Sequence, residues 1–343
     1  MSQSIYQYVR SVASNKLAFI DVDGTLTANP GDTNEKDLLD KDLTNQAITE
    51  LQKNGFTCVL NTSRTVEMCM SEAQYFLSKK NFGFTRPQPH MNIDNKYRHF
   101  YVKPEDVVPR KILDLPIIIS ASGARVDVLQ KDGGYVQDQG FYPPDFPDPI
   151  IWKKKITSFL STSNILFSYA PIDSESNYEE GITDIFPADY RIQLSFPTQS
   201  ELLRLAGEIK KIDGLYLTDD SNPDKNIFLA YLTPKNGKID AVNHVMSHLQ
   251  KRLTEILVIG DSFPDLEAGL KIKAPPHAKI TCLIVGGSRL HYTPKINLKR
   301  KIIMGDVAFH QSIGPKSIVE FIKSNKYNYV IPAKAGIQAK ISI

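Results

Sequence analysis

Residues 19–26, FIDVDGTL, end an apolar segment with two aspartates, Asp21 and Asp23, that are separated by one residue. The apolar residues before them predict a buried strand. Two carboxylates this close repel each other, so a cation must neutralise them or a reaction must need both. They can share a divalent cation such as Mg²⁺, or act as nucleophile and as acid and base. An EF-hand calcium loop is excluded, because Leu26 stands where glycine is required and Asp32 where glutamate is expected.

The composition is that of an ordinary globular protein. The 343 residues are 41% hydrophobic and 23% charged, and 41 basic against 38 acidic residues leave a formal net charge of +3. This balance argues against nucleic acid and against a membrane surface as partners. The length predicts a sizeable core and two domains.

Cysteine usage and hydropathy predict a cytoplasmic protein. The three cysteines, Cys58, Cys69 and Cys282, form no C-x-x-C pair, so neither a disulfide scaffold nor a thiolate zinc site is expected. Residues 1–16 contain no apolar run typical of a signal peptide. No stretch approaches the ~20 apolar residues of a membrane span.

Short apolar strands alternate with helical patterns, which predicts an α/β fold with a Rossmann-like, doubly wound parallel sheet as its core. One helix is predicted over Thr44–Gly55, with Thr44 as N-cap and Gly55 as stop, and another over 65–80. The predicted core strands are KLAFIDVD, FTCVLNTSR, IIISASGARVDVL, EILVIGDS, KITCLIVGG and KIIMG, of which the third runs into a hairpin-like KDGG turn.

A proline-rich stretch, GFYPPDFPDP at 140–149, predicts a linker, after which the order of elements changes. Helix, strand, helix and two further strands follow up to about Tyr231, which indicates a small α+β unit inserted into the first domain. The predicted division is a discontinuous catalytic core at 1–140 and 232–326, an α/β cap domain at 141–231 and a loosely ordered C-terminal tail at 327–343.

Polar residues follow the predicted strands or begin helices at four places. Because ligands bind beyond the carboxyl ends of the strands in an open α/β sheet, we expect these residues to converge. Several carboxylates in one place require a metal ion, and hydroxyl, ammonium and backbone N–H groups can hold a phosphate. This set of groups is that of phosphoryl transfer. The residues are Asp21, Asp23, Gly24, Thr62, Ser63, Lys238, Asp261 and Asp265.

Two lysines compete for the phosphate. KNGKID is not a P-loop, because Ile239 stands where serine or threonine is required. We favour Lys238 over Lys235 because Lys238 stands at a predicted helix start.

The motifs DVDGT, NTSR, Lys238 and GDSFPD resemble the four motifs of the haloacid dehalogenase superfamily of phosphatases. IIISASGARV resembles the SNGA strand of its Cof-type, sugar-phosphatase-like branch. In that branch a cap domain lies between the second and third motifs, which matches the unit at 141–231. The resemblance covers 17–325.

The resemblance implies catalytic roles for the acidic residues. Asp21 would attack phosphorus and form an aspartyl-phosphate. Asp23 would protonate the leaving oxygen and then activate water. Asp21, the backbone carbonyl of Asp23, and Asp261 would bind Mg²⁺, with Asp265 as a further ligand or a residue behind the ligands.

The resemblance also implies that Thr62 and Lys238 hold the phosphoryl oxygens. The family usually has glycine where Ser63 stands and asparagine where Ser122 stands. Ser63 therefore adds a side chain near the phosphate, and Ser122 shortens a group that would hydrogen-bond near it.

Three further side chains are candidate substrate contacts: Ser122, Arg64 and Arg191. Arg64 either reaches the substrate or pairs with a surface acid. Arg191 shares one face of a predicted cap strand with Ser195, but alternation alone does not say whether that face is the inner one.

The segment 83–116 is rich in proline and aromatic residues and predicts an irregular structure. Its His90, Asp94 and His99 are interpreted as part of a surface loop, although a loop could still gather all three around a metal ion.

The expected function is a Mg²⁺-dependent phosphatase whose partner is a small phosphorylated metabolite such as a sugar phosphate. The alternatives are a phosphohexomutase of the same superfamily, a phosphoprotein phosphatase that uses 83–116 for docking, and a non-catalytic binding protein. A protein partner is possible on this sequence but not indicated by it.

Overall fold

Apolar strands build the centre of the protein and helices cover them. The computed structural model describes residues 5–26, 41–64, 115–169, 190–221, 226–249, 253–286, 306–324 and 330–331. The strands are β1 Lys16–Ile20, β2 Phe56–Asn61, β3 Ile117–Ser120, β4 Arg125–Leu129, β5 Tyr135–Gln137, β6 Ser168–Tyr169, β7 Ile192–Phe196, β8 Tyr216–Asp219, β9 Phe228–Thr233, β10 Glu255–Gly260, β11 Lys279–Gly286, β12 Asp306–Ile313 and β13 Val330–Ile331. The helices are α1 Gln7–Val12, α2 Lys41–Lys53, α3 Pro149–Ser161, α4 Gln199–Ile209, α5 Gly237–Leu249, α6 Phe263–Leu270 and α7 Pro315–Ser324.

Within the described residues, the larger sheet has nine strands in the order β13-β12-β11-β10-β1-β2-β3-β4-β5. Strands β12 to β3 are parallel to one another, whereas β4, β5 and β13 are antiparallel additions at the two edges. From β1 the chain builds the sheet outward through β2 and β3 on one side and later through β10, β11 and β12 on the other. The predicted α/β fold class with a doubly wound core is confirmed.

Both faces of β1 are buried. Leu17 and Phe19 belong to one apolar cluster, which includes residues of α5, and Ala18 and Ile20 belong to another, which includes residues of α2. All four side chains are fully buried. Alternate residues of a strand point to opposite faces, so helices on both sides explain why this strand is apolar throughout.

The smaller sheet is antiparallel, with the order β6-β7-β9-β8. Its strands come from the segment predicted to form the cap, and β9 continues two residues past the predicted limit at Tyr231. Every second residue of β7 from Ile192 to Phe196 is buried, so Gln193 and Ser195 lie on the opposite face. The division into core and cap stays a prediction.

The chain reverses where a single strand was predicted over 117–129. A 3₁₀ turn at Ala121–Gly123 separates β3 from β4, and the two strands pair antiparallel. Ala121, Ser122 and Gly123 have φ values of +52°, +59° and +85°. This run of left-handed residues turns the chain back on itself, and the prediction of one continuous strand is wrong. The predicted KDGG hairpin is present between β4 and β5.

The start of α2 also differs from the prediction. The helix already includes Lys41, so Thr44 lies inside it and is not its N-cap. The Thr44 hydroxyl is buried and donates to the carbonyl oxygen of Leu26 at 2.7 Å, which fixes the helix to the turn after β1. The predicted stop agrees with the structure, because α2 ends at Lys53 and Gly55 follows with φ +82°.

The predicted linker packs against the molecule. Phe141 and Tyr142 are buried, and the rings of Tyr142 and Tyr190 lie 4.4 Å apart. Of the predicted tail, the described residues 330–331 pair with β12.

Several predictions concern residues outside the described ranges. They are the helix at 65–80, the strand KIIMG at 301–305, most of the segment 83–116, and His90, Asp94 and His99. Within the described ranges, none of the helices has the length and apolar character needed to span a bilayer.

Candidate active site

Three aspartates meet beyond the carboxyl ends of the central strands. Asp21 follows β1, Asp261 follows β10, and Asp265 lies in the first turn of α6. One carboxylate oxygen of each lies within 4.8 Å of the others, and each residue is at most 5% exposed. Strands β1 and β10 are parallel neighbours, and the order in which the chain adds strands reverses between them. Open α/β sheets bind their ligands at such a point of reversal. The structure brings these three predicted residues together.

Local contacts hold Asp265 in this place. Its Oδ2 accepts hydrogen bonds from the Ser262 hydroxyl at 2.5 Å and from the Ser262 backbone N–H at 3.3 Å. A Cβ atom on Gly260 would lie 2.3 Å from the Asp265 Cβ, so only glycine permits this approach of strand end and helix start. The spacing of the GDSFPD motif therefore has a steric reason.

Lys238 lies between two of the aspartates. Its Nζ donates to Asp21 Oδ1 at 2.7 Å and to Asp265 Oδ1 at 2.6 Å, and the side chain is only 6% exposed. Lys235 lies elsewhere, with its Nζ 4.9 Å from the centre of the Phe141 ring. The structure therefore places Lys238, and not Lys235, in the site.

The electrostatics of the cluster favour an additional cation. Burial raises the pKa of Asp21 well above its usual range, and the charges of Asp265 and Asp261 raise it further against the opposing charge of Lys238. Burial alone would lower the pKa of Lys238, but the charges of Asp21 and Asp265 outweigh it and raise that pKa. Buried carboxylate oxygens in excess over one ammonium suit a hard divalent ion such as Mg²⁺.

Asp23 lines the same cleft as this cluster and pairs with Arg64. Arg64 Nε donates to Asp23 Oδ2 at 2.7 Å, and Arg64 Nη2 donates to Asp23 Oδ1. Of the two interpretations of Arg64, the structure contains the pairing with an acid, and that acid is the predicted general acid. Both groups are partly exposed, at 16% for the Arg64 side chain and 31% for that of Asp23.

The predicted phosphate-binding residues are divided between the cleft surface and the layer beneath it. Thr62 is fully buried, and its hydroxyl accepts from the Arg64 backbone N–H at 3.2 Å. Gly24, with φ +74°, is buried in the turn after β1. Ser63 and Ser122 line the cleft, whereas Thr62 and Gly24 do not. Ser122 Oγ is buried and has no hydrogen-bond partner among the residues that the structure describes, so it can serve a ligand.

Arg191 connects the smaller sheet to the core. It precedes β7, its Nη1 donates to the backbone carbonyl of Ser63, and its guanidinium lies 5.3 Å from the centre of the Tyr231 ring. It is therefore a contact between the predicted cap and the loop after β2.

Sequence reasoning missed three residues that the smaller sheet contributes to the cleft. Thr218 and Tyr231 are register partners on β8 and β9, and the Tyr231 hydroxyl donates to Asp220 Oδ2 at 3.2 Å. Burial, and then the charge of Asp220, raises the pKa of Tyr231, so its phenol stays protonated. The alternation of β8 and β9 was the available signal, but it does not indicate which face meets the core.

The cleft has a volume of about 500 Å³ including its open mouth, and it is lined by Asp21, Asp23, Ser63, Ser122, Thr218, Asp220, Tyr231, Lys238, Asp261, Ser262 and Pro264.

A family model for haloacid dehalogenase-like hydrolases matches residues 18–268. The chain belongs to this family. The match runs from β1 to α6 and so includes every residue of the cluster described above. The family predicted from the four motifs is confirmed, and no significant match was found among curated protein sequences.

Solved structures of the haloacid dehalogenase type share the fold at low sequence identity. The sucrose-phosphatase of Synechocystis, solved with sucrose and phosphate, is 12% identical, with a TM-score of 0.51 over 92% of this chain and 99% of that one. A Bacteroides thetaiotaomicron protein, described among the phosphatases of the superfamily, is also 12% identical, with a TM-score of 0.51 over 90% and 94% of the two chains. A haloacid dehalogenase-like hydrolase of Bacillus subtilis is 16% identical, with a TM-score of 0.50 over 90% and 98%.

Proposed function

We propose that this protein is a Mg²⁺-dependent phosphatase that hydrolyses a small phosphorylated metabolite through an aspartyl-phosphate on Asp21. The observation that carries the proposal is the convergence of Asp21, Asp261 and Asp265 with Lys238 at the end of the central strands. Carboxylates for a metal ion, one of which also serves as nucleophile, and a lysine for the phosphoryl group are what phosphoryl transfer requires.

The carboxylates of Asp21, Asp261 and Asp265 would hold the metal ion. Their mutual distances within 4.8 Å and the raised pKa of Asp21 support this assignment. When bound, Mg²⁺ supplies positive charge that neutralises the carboxylates and the phosphoryl oxygens. Lys238, whose ammonium contacts Asp21, would add a fixed positive charge for the phosphoryl group.

In the first step, a carboxylate oxygen of Asp21 attacks phosphorus, and the bond from phosphorus to the leaving oxygen breaks. Asp23 gives its proton to that oxygen, and the alcohol leaves. In the second step, Asp23 takes a proton from water, whose oxygen attacks phosphorus. The bond between phosphorus and Asp21 breaks, which releases phosphate and restores the free carboxylate.

The ion pair of Asp23 and Arg64 adds a requirement to this scheme. Both oxygens of Asp23 accept N–H groups of Arg64, so both are engaged by the guanidinium while the pair is intact. We infer that substrate binding opens the pair and that the guanidinium then turns to the phosphoryl oxygens, for which its two parallel N–H groups are suited. Arg64 thereby couples the occupancy of the site to the availability of Asp23.

The lining of the cleft supports a small polar substrate. Thr218, Asp220 and Tyr231 present hydroxyl and carboxylate groups, which hydrogen-bond well to the hydroxyls of a sugar. The similar fold of a sucrose-phosphatase is compatible with a sugar phosphate.

The test is phosphate release from a panel of phosphorylated metabolites and p-nitrophenyl phosphate, measured with Mg²⁺, with EDTA, and with Asp21→Asn. We expect release that needs Mg²⁺ and falls at least about a thousandfold in the variant, because a nucleophile is lost. Sugar bisphosphates and a phosphopeptide complete the panel, because transfer of phosphate between sugar positions would identify a mutase and cleavage of the peptide alone a phosphoprotein phosphatase. No release from any compound by folded protein would contradict the proposal.

A further inference from the structure

A second cluster of metal-ligating side chains lies away from the active site. Asp138 directly follows β5 at the edge of the larger sheet, and His244 and His248 lie one turn apart on α5. One ligand atom of each lies within 4.8 Å of the others. Lys238 precedes His244 by six residues on the same helix, a distance of about 9 Å along its axis. The proposed phosphatase chemistry uses none of these three side chains.

We propose that Asp138, His244 and His248 bind a transition-metal ion of the Zn²⁺ class. Their ligand set differs from that of the active site. Two histidines spaced H-x-x-x-H on a helix share one face, as in known helical zinc sites. Two imidazole nitrogens and one carboxylate oxygen suit Zn²⁺ better than Mg²⁺, which prefers oxygen ligands. The His244 side chain is 16% exposed, which leaves room for water as the fourth ligand.

The backbone contact of His248 suits a metal ligand. Its Nδ1 lies 3.0 Å from the backbone carbonyl oxygen of His244. A carbonyl oxygen only accepts, so this contact needs the proton on Nδ1, and in a neutral ring Nε2 is then the nitrogen with a lone pair for a metal ion. This is the backbone contact by which metal-binding histidines are commonly oriented. The ring of Tyr6 stacks on that of His248 at 4.6 Å and fixes its plane.

Asp138 is oriented by hydrogen bonds to both of its oxygens. Oδ1 accepts from the Gly140 backbone N–H at 2.8 Å, and Oδ2 accepts from the Tyr6 hydroxyl at 2.9 Å. The Nε2 of His244 lies 2.7 Å from the same Oδ2. A tetrahedral ion with ligands at its usual bond lengths needs these two atoms about 3.4 Å apart, a shift that small side-chain rotations provide. The proton of His244 then resides on Nδ1.

The bound ion would fasten α5 to the edge of the sheet. Asp138 and His244 are 106 residues apart in the chain, so a bond through the ion closes a long loop that is open in the unfolded protein. Binding to the folded state alone raises the unfolding temperature with the metal concentration. At a Zn²⁺ concentration a hundred times the Kd, we expect an increase of about 4 °C.

The test uses the full chain, freed of metal by a chelator and then kept in excess Mg²⁺ so that the carboxylate site is occupied. Zn²⁺ is titrated by calorimetry, and Co²⁺ by its visible absorption. We expect one equivalent of Zn²⁺, a four-coordinate Co²⁺ spectrum, and the rise in unfolding temperature. His244→Gln and His248→Gln should weaken binding on the order of 100-fold and lose the Co²⁺ spectrum. At position 244, glutamine keeps a donor for Asp138, which protects the fold.

Two matched variants complete the design. His277→Ala removes an exposed histidine outside the cluster and should bind Zn²⁺ like the parent. Asp261→Asn removes a carboxylate of the active site and should also keep the Zn²⁺ equivalent. Loss of that equivalent in Asp261→Asn, undiminished binding in both glutamine variants, or no Zn²⁺ binding at micromolar concentrations would overturn the proposal. The unfolding temperatures without metal establish that each variant is folded.

Discussion

Lys238 and Asp21 are 217 residues apart in the chain, yet Lys238 Nζ lies 2.7 Å from Asp21 Oδ1. The same Nζ donates to Asp265, so one ammonium is held between two buried carboxylates. A buried ion pair costs desolvation of both groups, and removal of one partner leaves an uncompensated charge. This arrangement is therefore better explained by a catalytic role of these residues than by a contribution to the stability of the fold.

Replacement of Lys238 by methionine should lower kcat at least about a hundredfold, because a fixed positive charge beside the phosphoryl group is lost. Lys235→Met is the matched control. Lys235 lies over the rings of Phe141 and Tyr142, and its loss should change kcat by less than about threefold. Steady-state kinetics with p-nitrophenyl phosphate measure both variants. An equal fall of kcat in the two variants would show that the position of Lys238 beside Asp21 is not important for catalysis.

Replacement of Arg64 by alanine should separate two effects of its pairing with Asp23. We expect KM to rise, because the phosphoryl group loses a charged partner, and kcat to fall about tenfold or more, because Asp23 loses its orientation. Arg64→Lys keeps the charge but not the two parallel N–H groups, and it should restore KM better than kcat. Kinetics equal to the parent in Arg64→Ala would refute the coupling proposed for the pair.

Replacement of Asp220 by asparagine should raise KM for the best substrate of the panel by about 10-fold while kcat for p-nitrophenyl phosphate stays nearly unchanged. Asp220 lines the cleft directly after β8 and accepts from the Tyr231 hydroxyl, whereas the proposed phosphoryl-site residues belong to the larger sheet and to α5 and α6. Asp219→Asn is the control, because Asp219 is exposed and does not line the cleft. A parallel loss with both substrates would mean that Asp220 serves the structure and not substrate selection.

Replacement of Gly123 by alanine should destabilise the protein by about 3 kcal/mol or more. A Cβ atom there would lie 2.3 Å from the carbonyl carbon of Gly237, and φ is +85°. Gly133→Ala isolates the cost of conformation, because Gly133 has φ +93° but nothing within 4 Å of the added Cβ. That variant should lose only about 1–2 kcal/mol. Urea unfolding measures both, and equal losses would contradict the steric argument.

Cys58 and Cys282 should resist alkylation while the protein is folded. Burial raises the pKa of each thiol from 9.0 to about 12, with the charge of Asp265 adding to the effect at Cys282. At pH 9, roughly one molecule in a thousand then carries the thiolate at each site, against about half in the unfolded chain. The rate of iodoacetamide labelling in a Cys69→Ser background, with and without urea, measures this difference. Fast labelling of folded protein would contradict the assigned burial.

The raised pKa values of the two thiols also determine how the free energy of unfolding changes with pH. Above pH 9 the unfolded chain releases these protons and the folded chain keeps them, so the two thiols lower the free energy of unfolding as the pH rises from 9 towards 12. Below pH 9 both states hold the protons and the contribution is constant. Urea unfolding of the parent and of Cys58→Ala between pH 8 and pH 10 compares how steeply the free energy of unfolding falls with pH in the two proteins.

The sequence by itself determined the family, the α/β class and the acidic cluster. Asp21, Asp261 and Asp265 each stand in a short motif at the end of a strand or the start of a helix, and the parallel sheet brings such positions to one edge. Lys238 was identified because it begins a helix. These predictions depend on local spacing and on sheet topology, which the order of residues encodes.

Only the tertiary structure decided how the side chains are oriented. Neither the pairing of Arg64 with Asp23 nor the reach of Arg191 to Ser63 has a local signature, because each joins groups from separate segments. The reversal at Ala121–Gly123 was missed because two of its three left-handed residues are not glycine. Thr218, Asp220 and Tyr231 face the cleft because of the way the smaller sheet lies on the core, and strand periodicity is the same for either face.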